Sequence, residues 1–260
     1  PNDPTFSYDI KTLDSPSAGR EFNFVSAVSD GQYWQNSTYF GCIVGEYSNN
    51  NDTTISHRLF QTRNWGETHN SVTINTTFDE FYLNADFLEG TSDSVVFITQ
   101  RRFTTPGDEV RVMFTPWGTL SNSARTVFLT VDTLQYEKPI ISIKQGPADT
   151  EKKIFITCTK EGRARYHGST NSGLTWDIDY TLDSRTNFST NYTFVSSDST
   201  GSSNDFCAMF SRRGTGDDSI NVRRGNLGSM GTTNWLKTIQ IHLIQVQQSG
   251  LVSLKRQMLL

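Results

Sequence analysis

Apolar residues along this chain come in runs of three to five, separated by polar stretches rich in Gly, Asn, Asp and Ser. Such short runs bounded by turn formers predict strands rather than helices. They fall into four successive windows of four strands each. The first window holds strands near 21–25, 39–44, 57–60 and 72–74, and the second near 81–83, 95–98, 110–114 and 127–129. The third holds 140–143, 154–157, 164–166 and 178–180, and the fourth 192–195, 206–210, 220–222 and a poorly defined last strand.

A glycine-containing loop joins the third strand to the fourth in every window, and its glycines, Gly66, Gly118, Gly173 and Gly231, stand 52, 55 and 58 residues apart. A four-stranded antiparallel unit repeated at that period cannot bury both of its faces alone, so it must stack on its neighbours around an axis. The spacing predicts an all-β protein, a β-propeller of four-stranded antiparallel blades at about 21–76, 80–130, 139–183 and 191–235. A β-sandwich with strands of similar length is the competing architecture.

Composition narrows the function classes. Twenty-three Lys and Arg against 27 Asp and Glu leave a net charge of −4 in 260 residues, so no global basic field exists to hold a nucleic-acid backbone. No apolar run approaches the length of a membrane-spanning helix. Ser and Thr make up about a quarter of the chain, which favours strands and turns. Cys42, Cys158 and Cys207 lack paired spacing and all fall in the second strand of a window, so they are expected as core fillers, not as disulfides or zinc ligands. His57, His69, His167 and His242 have no metal-ligand spacing, and neither a metal nor a cofactor is expected. Five Asn-x-Ser/Thr sequons among 18 Asn are about what this composition gives by chance.

The third window carries the sharpest motif, Ser169-Thr-Asn171-Ser-Gly173-Leu-Thr175-Trp176. The first window repeats it more weakly, with Thr62, Asn64, Gly66 and Thr68 at the same place between strands three and four and His69 in place of the tryptophan. These octets resemble the Asp-box of the bacterial neuraminidase repeat, Ser-x-Asp-x-Gly-x-Thr-Trp, with Asn replacing the Asp. The resemblance implies a sialidase-like propeller in which the box stabilises the fold: the Asx side chain bonds backbone N–H groups, Gly supplies the turn, and Trp packs between blades. Asp-box propellers include exo-sialidases, other glycosidases and binding proteins, many of them secreted or periplasmic.

In an antiparallel meander the boxes define one face, and similar propellers use the opposite face, around the axis. At the end of each second strand this chain places Glu46-Tyr47, Gln100-Arg101-Arg102, Lys160-Glu161 and Arg212-Arg213. Converging guanidiniums from Arg101, Arg102, Arg212 and Arg213, with Glu46 and Tyr47 beside them, would suit the carboxylate of an acidic sugar, and sialidases use an arginine cluster in that way. The competing reading is that these arginines are solvated strand ends. The Arg-Ile-Pro segment typical of the family is absent from the sequence, so no catalytic residue is assigned. Carboxylates for another glycosidase could come from Asp79, Glu80, Asp217 and Asp218.

Residues 6–13 resemble the fourth strand of the third window, so the chain is expected to begin inside a preceding or closing blade. The Gln-rich stretch 236–260 lacks Asp and Glu and is an atypical tail. At about 55 residues per blade, a fragment of a six- or seven-bladed ring is favoured over a closed four-bladed one. The expectation for function is an extracytoplasmic propeller that binds glycan or protein on its axial face. The alternative is part of a sialidase-like exo-glycosidase that hydrolyses terminal acidic sugars.

Overall fold

The computed structural model describes residues 18–29, 40–48, 53–62, 68–75, 80–89, 94–101, 109–117, 125–129, 136–144, 152–183, 189–190, 192–197, 205–213, 218–226 and 235–239, with positions 12, 15 and 16. They form sixteen strands in four antiparallel sheets, each a meander in chain order. The first sheet comprises β1 (Arg20–Ser29), β2 (Phe40–Ser48), β3 (Thr53–Thr62) and β4 (Asn70–Asn75). The second comprises β5 (Glu80–Leu88), β6 (Ser94–Arg101), β7 (Glu109–Pro116) and β8 (Arg125–Phe128). The third holds β9 (Tyr136–Lys144), β10 (Lys153–Lys160), β11 (Arg163–Ser169) and β12 (Ile178–Thr181), and the fourth β13 (Thr193–Ser197), β14 (Asp205–Arg213), β15 (Asp218–Asn226) and β16 (Trp235–Ile239). Residues 6–13 and 240–260 lie outside the described residues, apart from position 12.

The first strands lie side by side in succession, β1 against β5, β5 against β9 and β9 against β13. Burial follows from this stacking. β10 is buried along its whole interior because sheets cover both of its faces, so its sequence Lys-Ile-Phe-Ile-Thr-Cys-Thr-Lys is an apolar run, not an alternation. β12, the outermost strand of the same sheet, has no fully buried residue.

Three apolar layers fill the junctions. Val28, Ile43, Leu59 and Ile74 of the first sheet meet Leu83, Ala85, Phe87, Val95, Phe97 and Met113 of the second. Val96, Ile98, Val112 and Phe114 on its other side meet Ile141, Ile143, Ile154 and Ile156 of the third. Phe155, Ala164, Tyr166 and Leu182 then meet Val195, Ala208 and Phe210 of the fourth. Burying each of these large side chains contributes roughly 1.5–3 kcal/mol. Gly41 is required by this packing, since a Cβ there would stand 2.0 Å from the Phe60 carbonyl oxygen and 2.9 Å from the Trp117 ring of the second sheet.

Polar side chains stitch the first strands together. The backbone N–H of Ala85 donates to Ser26 Oγ at 3.0 Å, and that of Ile141 donates to Asn84 Oδ1 at 2.9 Å. Ser26 and Asn84 hold the same register position in their sheets, each being the first paired residue after a bulge. One rung further, Ile143 N–H donates to Asp86 Oδ2 at 2.6 Å. These bonds occupy backbone donors that an edge strand would otherwise leave open.

Candidate functional site

The loop between β11 and β12 is held by its own side chains. Ser169 Oγ accepts the Gly173 N–H at 2.8 Å, and Asn171 Oδ1 accepts the Thr175 N–H at 2.9 Å. Asn171 Nδ2 donates to Thr175 Oγ1 at 2.9 Å, and Ser169 Oγ donates to Asn171 Oδ1 at 3.0 Å. Gly173 sits at φ +77°, where a Cβ would stand 2.4 Å from the Phe114 ring. Trp176 packs on the layer between the second and third sheets. In the first sheet, Thr62 Oγ1 donates to the Thr68 carbonyl at 2.7 Å, while Asn64 and Gly66 lie outside the described residues.

The opposite rim gathers the starts of the first and third strands and the ends of the second and fourth. Glu46 lies near the end of β2 with its carboxylate 7% exposed, accepting from Ser56 Oγ at 2.8 Å and pairing with Arg20 Nη1 at 3.3 Å. Tyr47 beside it is half-buried. Arg101 closes β6 opposite Glu80 and Glu109, and Arg212 and Arg213 close β14 opposite Ser219 and Asp218. The side chains of these three arginines, and all of Arg102, lie outside the described residues, as do Asp52, Asp79 and Asp217.

Glu80, a candidate carboxylate from the sequence, is instead the centre of a buried junction. Its Oε2 lies 2.6 Å from His57 Nε2 and accepts from Thr99 Oγ1 at 3.0 Å, while Oε1 pairs with Arg111 Nη1. The His57 ring also packs edge-on against Phe97 at 5.4 Å. Burial alone would raise the Glu80 carboxyl, but the His57 bond and charge and the Arg111 guanidinium outweigh it and hold the group down at about 2. An ionised carboxylate with a fully enclosed side chain cannot protonate a leaving group, so Glu80 serves the packing of sheet on sheet.

The sequence predicts a recurrent cation at the ends of the second strands. The structure brings out another one. Ile43, Ile98 and Thr157 pair with Leu59, Val112 and Tyr166, which places Arg58, Arg111 and Arg165 at one register position of three successive third strands. Each guanidinium is already engaged: Arg58 lies over the Phe22 and Phe60 rings at 5.8 and 5.9 Å, Arg111 holds Glu80, and Arg165 pairs with Asp179 at 2.6 Å. The signal was present, since these arginines stand 53 and 54 residues apart.

The row of first strands carries the other recurrent feature. β1, β5 and β9 each break register at the same place, with Phe24-Val25, Tyr82-Leu83 and Lys138-Pro139 as the two residues facing one on the partner strand. Phe24 and Lys138 both adopt φ 54°, an uncommon conformation for residues other than glycine. Phe24 is 39% exposed and Val25 69%. Beyond β9, Tyr192 precedes β13 with 59% exposure, and Lys138 Nζ lies 4.8 Å from its ring centroid.

Among the described residues no group of three or more His, Cys, Asp or Glu is placed to hold a metal ion, and no helix is long and apolar enough to cross a membrane. The three cysteines are free, with Cys158 buried and Cys42 and Cys207 half-buried. Burial raises the Cys158 thiol to about 12, so it is inert at neutral pH.

No protein-family model matches the sequence, and no curated protein matches it significantly. Among solved structures, a point mutant of the NanB sialidase from Streptococcus pneumoniae superposes on this chain with a TM-score of 0.50 at 12% identity, covering 88% of this chain and 51% of that one. The chain therefore spans about half the length of this neighbour. Sequence identity this low speaks to the fold alone, and the four stacked antiparallel sheets have the fold of a sialidase-like β-propeller.

Proposed function

We propose that this chain is part of an extracytoplasmic propeller that binds an acidic glycan on the rim opposite the Ser169–Trp176 loop, with the loops at 62–69 and 169–176 acting as degenerate Asp-boxes that hold the fold. The observation that carries the reading is the bulge repeated in three neighbouring first strands, with Phe24 and Lys138 at positive φ. Bulges and strained non-glycine residues recur where a sheet re-aims side chains toward a ligand. Arg101, Arg102, Arg212 and Arg213 would supply cations to the same rim. Tyr47 stands there too, with Glu46 fixing Arg20 beside it. Isothermal titration with N-acetylneuraminic acid and with methyl galactoside tests this, the acid binding and the neutral sugar binding far less. Equal binding of both, or none, would sink it.

A second reading, a sialidase-like exo-glycosidase, draws support from the solved neighbour, which is itself a sialidase. It predicts release of fluorophore from a 4-methylumbelliferyl sialoside. Binding of the acid without such release would leave the chain as a binding module.

A further inference from the structure

On the acidic-glycan reading above, we infer that Lys138 and Tyr192 form the subsite that anchors a carboxylated pyranose, the ring stacking on the tyrosine and the carboxylate meeting the ammonium. The two residues come from different sheets, and each is held by backbone contacts rather than by its own side chain. Lys138 N–H donates to Gln100 Oε1 of the second sheet at 3.3 Å, and Gln100 is buried. Tyr192 is clamped by one serine on both sides of its peptide: its N–H donates to Ser211 Oγ at 3.1 Å, and the Ser211 N–H donates to the Tyr192 carbonyl at 3.0 Å. Three sheets thus converge to present one cation and one aromatic ring.

Lys138 rests on a ring, as Arg58 does on Phe22 and Phe60, whereas three other cations on this rim are held by carboxylates. Arg20 is bound to Glu46, and Arg111 and Arg165 to Glu80 and Asp179. Among the described residues no carboxylate pairs with Lys138, whose ammonium rests on the Tyr192 π face. An ammonium resting on a ring quadrupole is readily recruited by an anion, and a preorganised exposed tyrosine suits the apolar C–H face of a sugar. The bulge is what makes this possible. It turns Lys138 out of the alternation of β9 at φ 54°, whereas its neighbour Pro139 is buried.

The test uses the whole chain, N-acetylneuraminic acid and its methyl ester as probes, and calorimetric titration with melting curves as a folding control. Lys138→Gln should weaken the acid roughly ten- to a hundredfold and leave the ester unchanged. Tyr192→Ala should weaken both by about tenfold, and Tyr192→Phe neither. Lys138→Arg should recover most of the acid affinity. Wild-type binding that survives both Lys138→Gln and Tyr192→Ala would overturn the subsite while leaving the glycan reading standing. Failure of the wild-type chain to bind the acid would overturn both.

Discussion

His57 on β3 and Glu80 on β5 meet at 2.6 Å across the junction of the first two sheets, with side chains 1% and 0% exposed. This contact joins two units that are each complete as hydrogen-bonded sheets, and Arg111 and Thr99 close the carboxylate from its other sides. His57 Nδ1, on the far side of the ring, has no hydrogen-bond partner among the described residues.

Removing the charge from that junction should be severe. Glu80→Gln leaves Arg111 and His57 facing a neutral amide and is expected to cost about 3–5 kcal/mol, read as a large drop in the urea midpoint. Thr99→Val removes one hydrogen bond to Glu80 Oε2 and should cost about 1–3 kcal/mol. In an Arg111→Met background the Glu80→Gln cost should shrink, because the two groups are coupled. Additive losses would show that the pair does not act as a unit.

The same junction sets an acid limit. Glu80 is held at about 2 against an ordinary 4.5, so below 4.5 the unfolded chain takes up the proton first. The contribution is fully present above pH 4.5 and is lost as pH falls toward 2. Asp86 has the opposite sign: burial pushes its carboxyl up despite N–H bonds from Ile143 and Phe87, so its ionised form costs stability at neutral pH and the cost eases on acidification. Unfolding curves between pH 7 and 3 should show a steeper acid loss in the wild type than in Glu80→Gln. Parallel curves would contradict the assignment.

Two glycines at similar φ separate packing from backbone strain. Gly173→Ala places a methyl against Phe114 and should cost about 2–4 kcal/mol, overpacking added to a φ of +77°. Gly162 at φ +71° has, among the described residues, Ser189 nearby at 3.6 Å, so Gly162→Ala should cost about 1 kcal/mol. Thermal melts of the two variants decide whether the loop seats on the core as described.

Asn171 stands where the Asp-box pattern has Asp, and its Oδ1 accepts the Thr175 N–H. Asn171→Asp keeps an acceptor there, and Thr175 can donate its hydroxyl in return, so stability should change by less than about 0.5 kcal/mol. Asn171→Ala should cost about 1–2 kcal/mol. A loss on Asn171→Asp as large as on Asn171→Ala would mean that the amide N–H, not the carbonyl, is what the loop needs.

The strands were legible from the chain because the apolar runs mark strands buried on at least one face, as in Val95–Ile98 and Ile154–Thr157. The period was legible too, since the sheets repeat one meander. Arg58, Arg111 and Arg165 stand at a regular spacing, but spacing alone does not separate them from the arginine pairs at the ends of the second strands. The Glu80–His57 contact was not legible: the residues are 23 apart, and only the stacking of two sheets joins them. Nor were the bulges, because register breaks in β1, β5 and β9 depend on backbone pairing and on bonds such as Gln100 to Lys138 that run between sheets.

Backbone amide NMR during a titration with N-acetylneuraminic acid locates the bound sugar. Perturbations concentrated at Lys138, Tyr192 and Ser211, with the 169–176 loop silent, are expected. Perturbations centred on residues 169–176, or no change anywhere at saturating sugar, would contradict binding at this site.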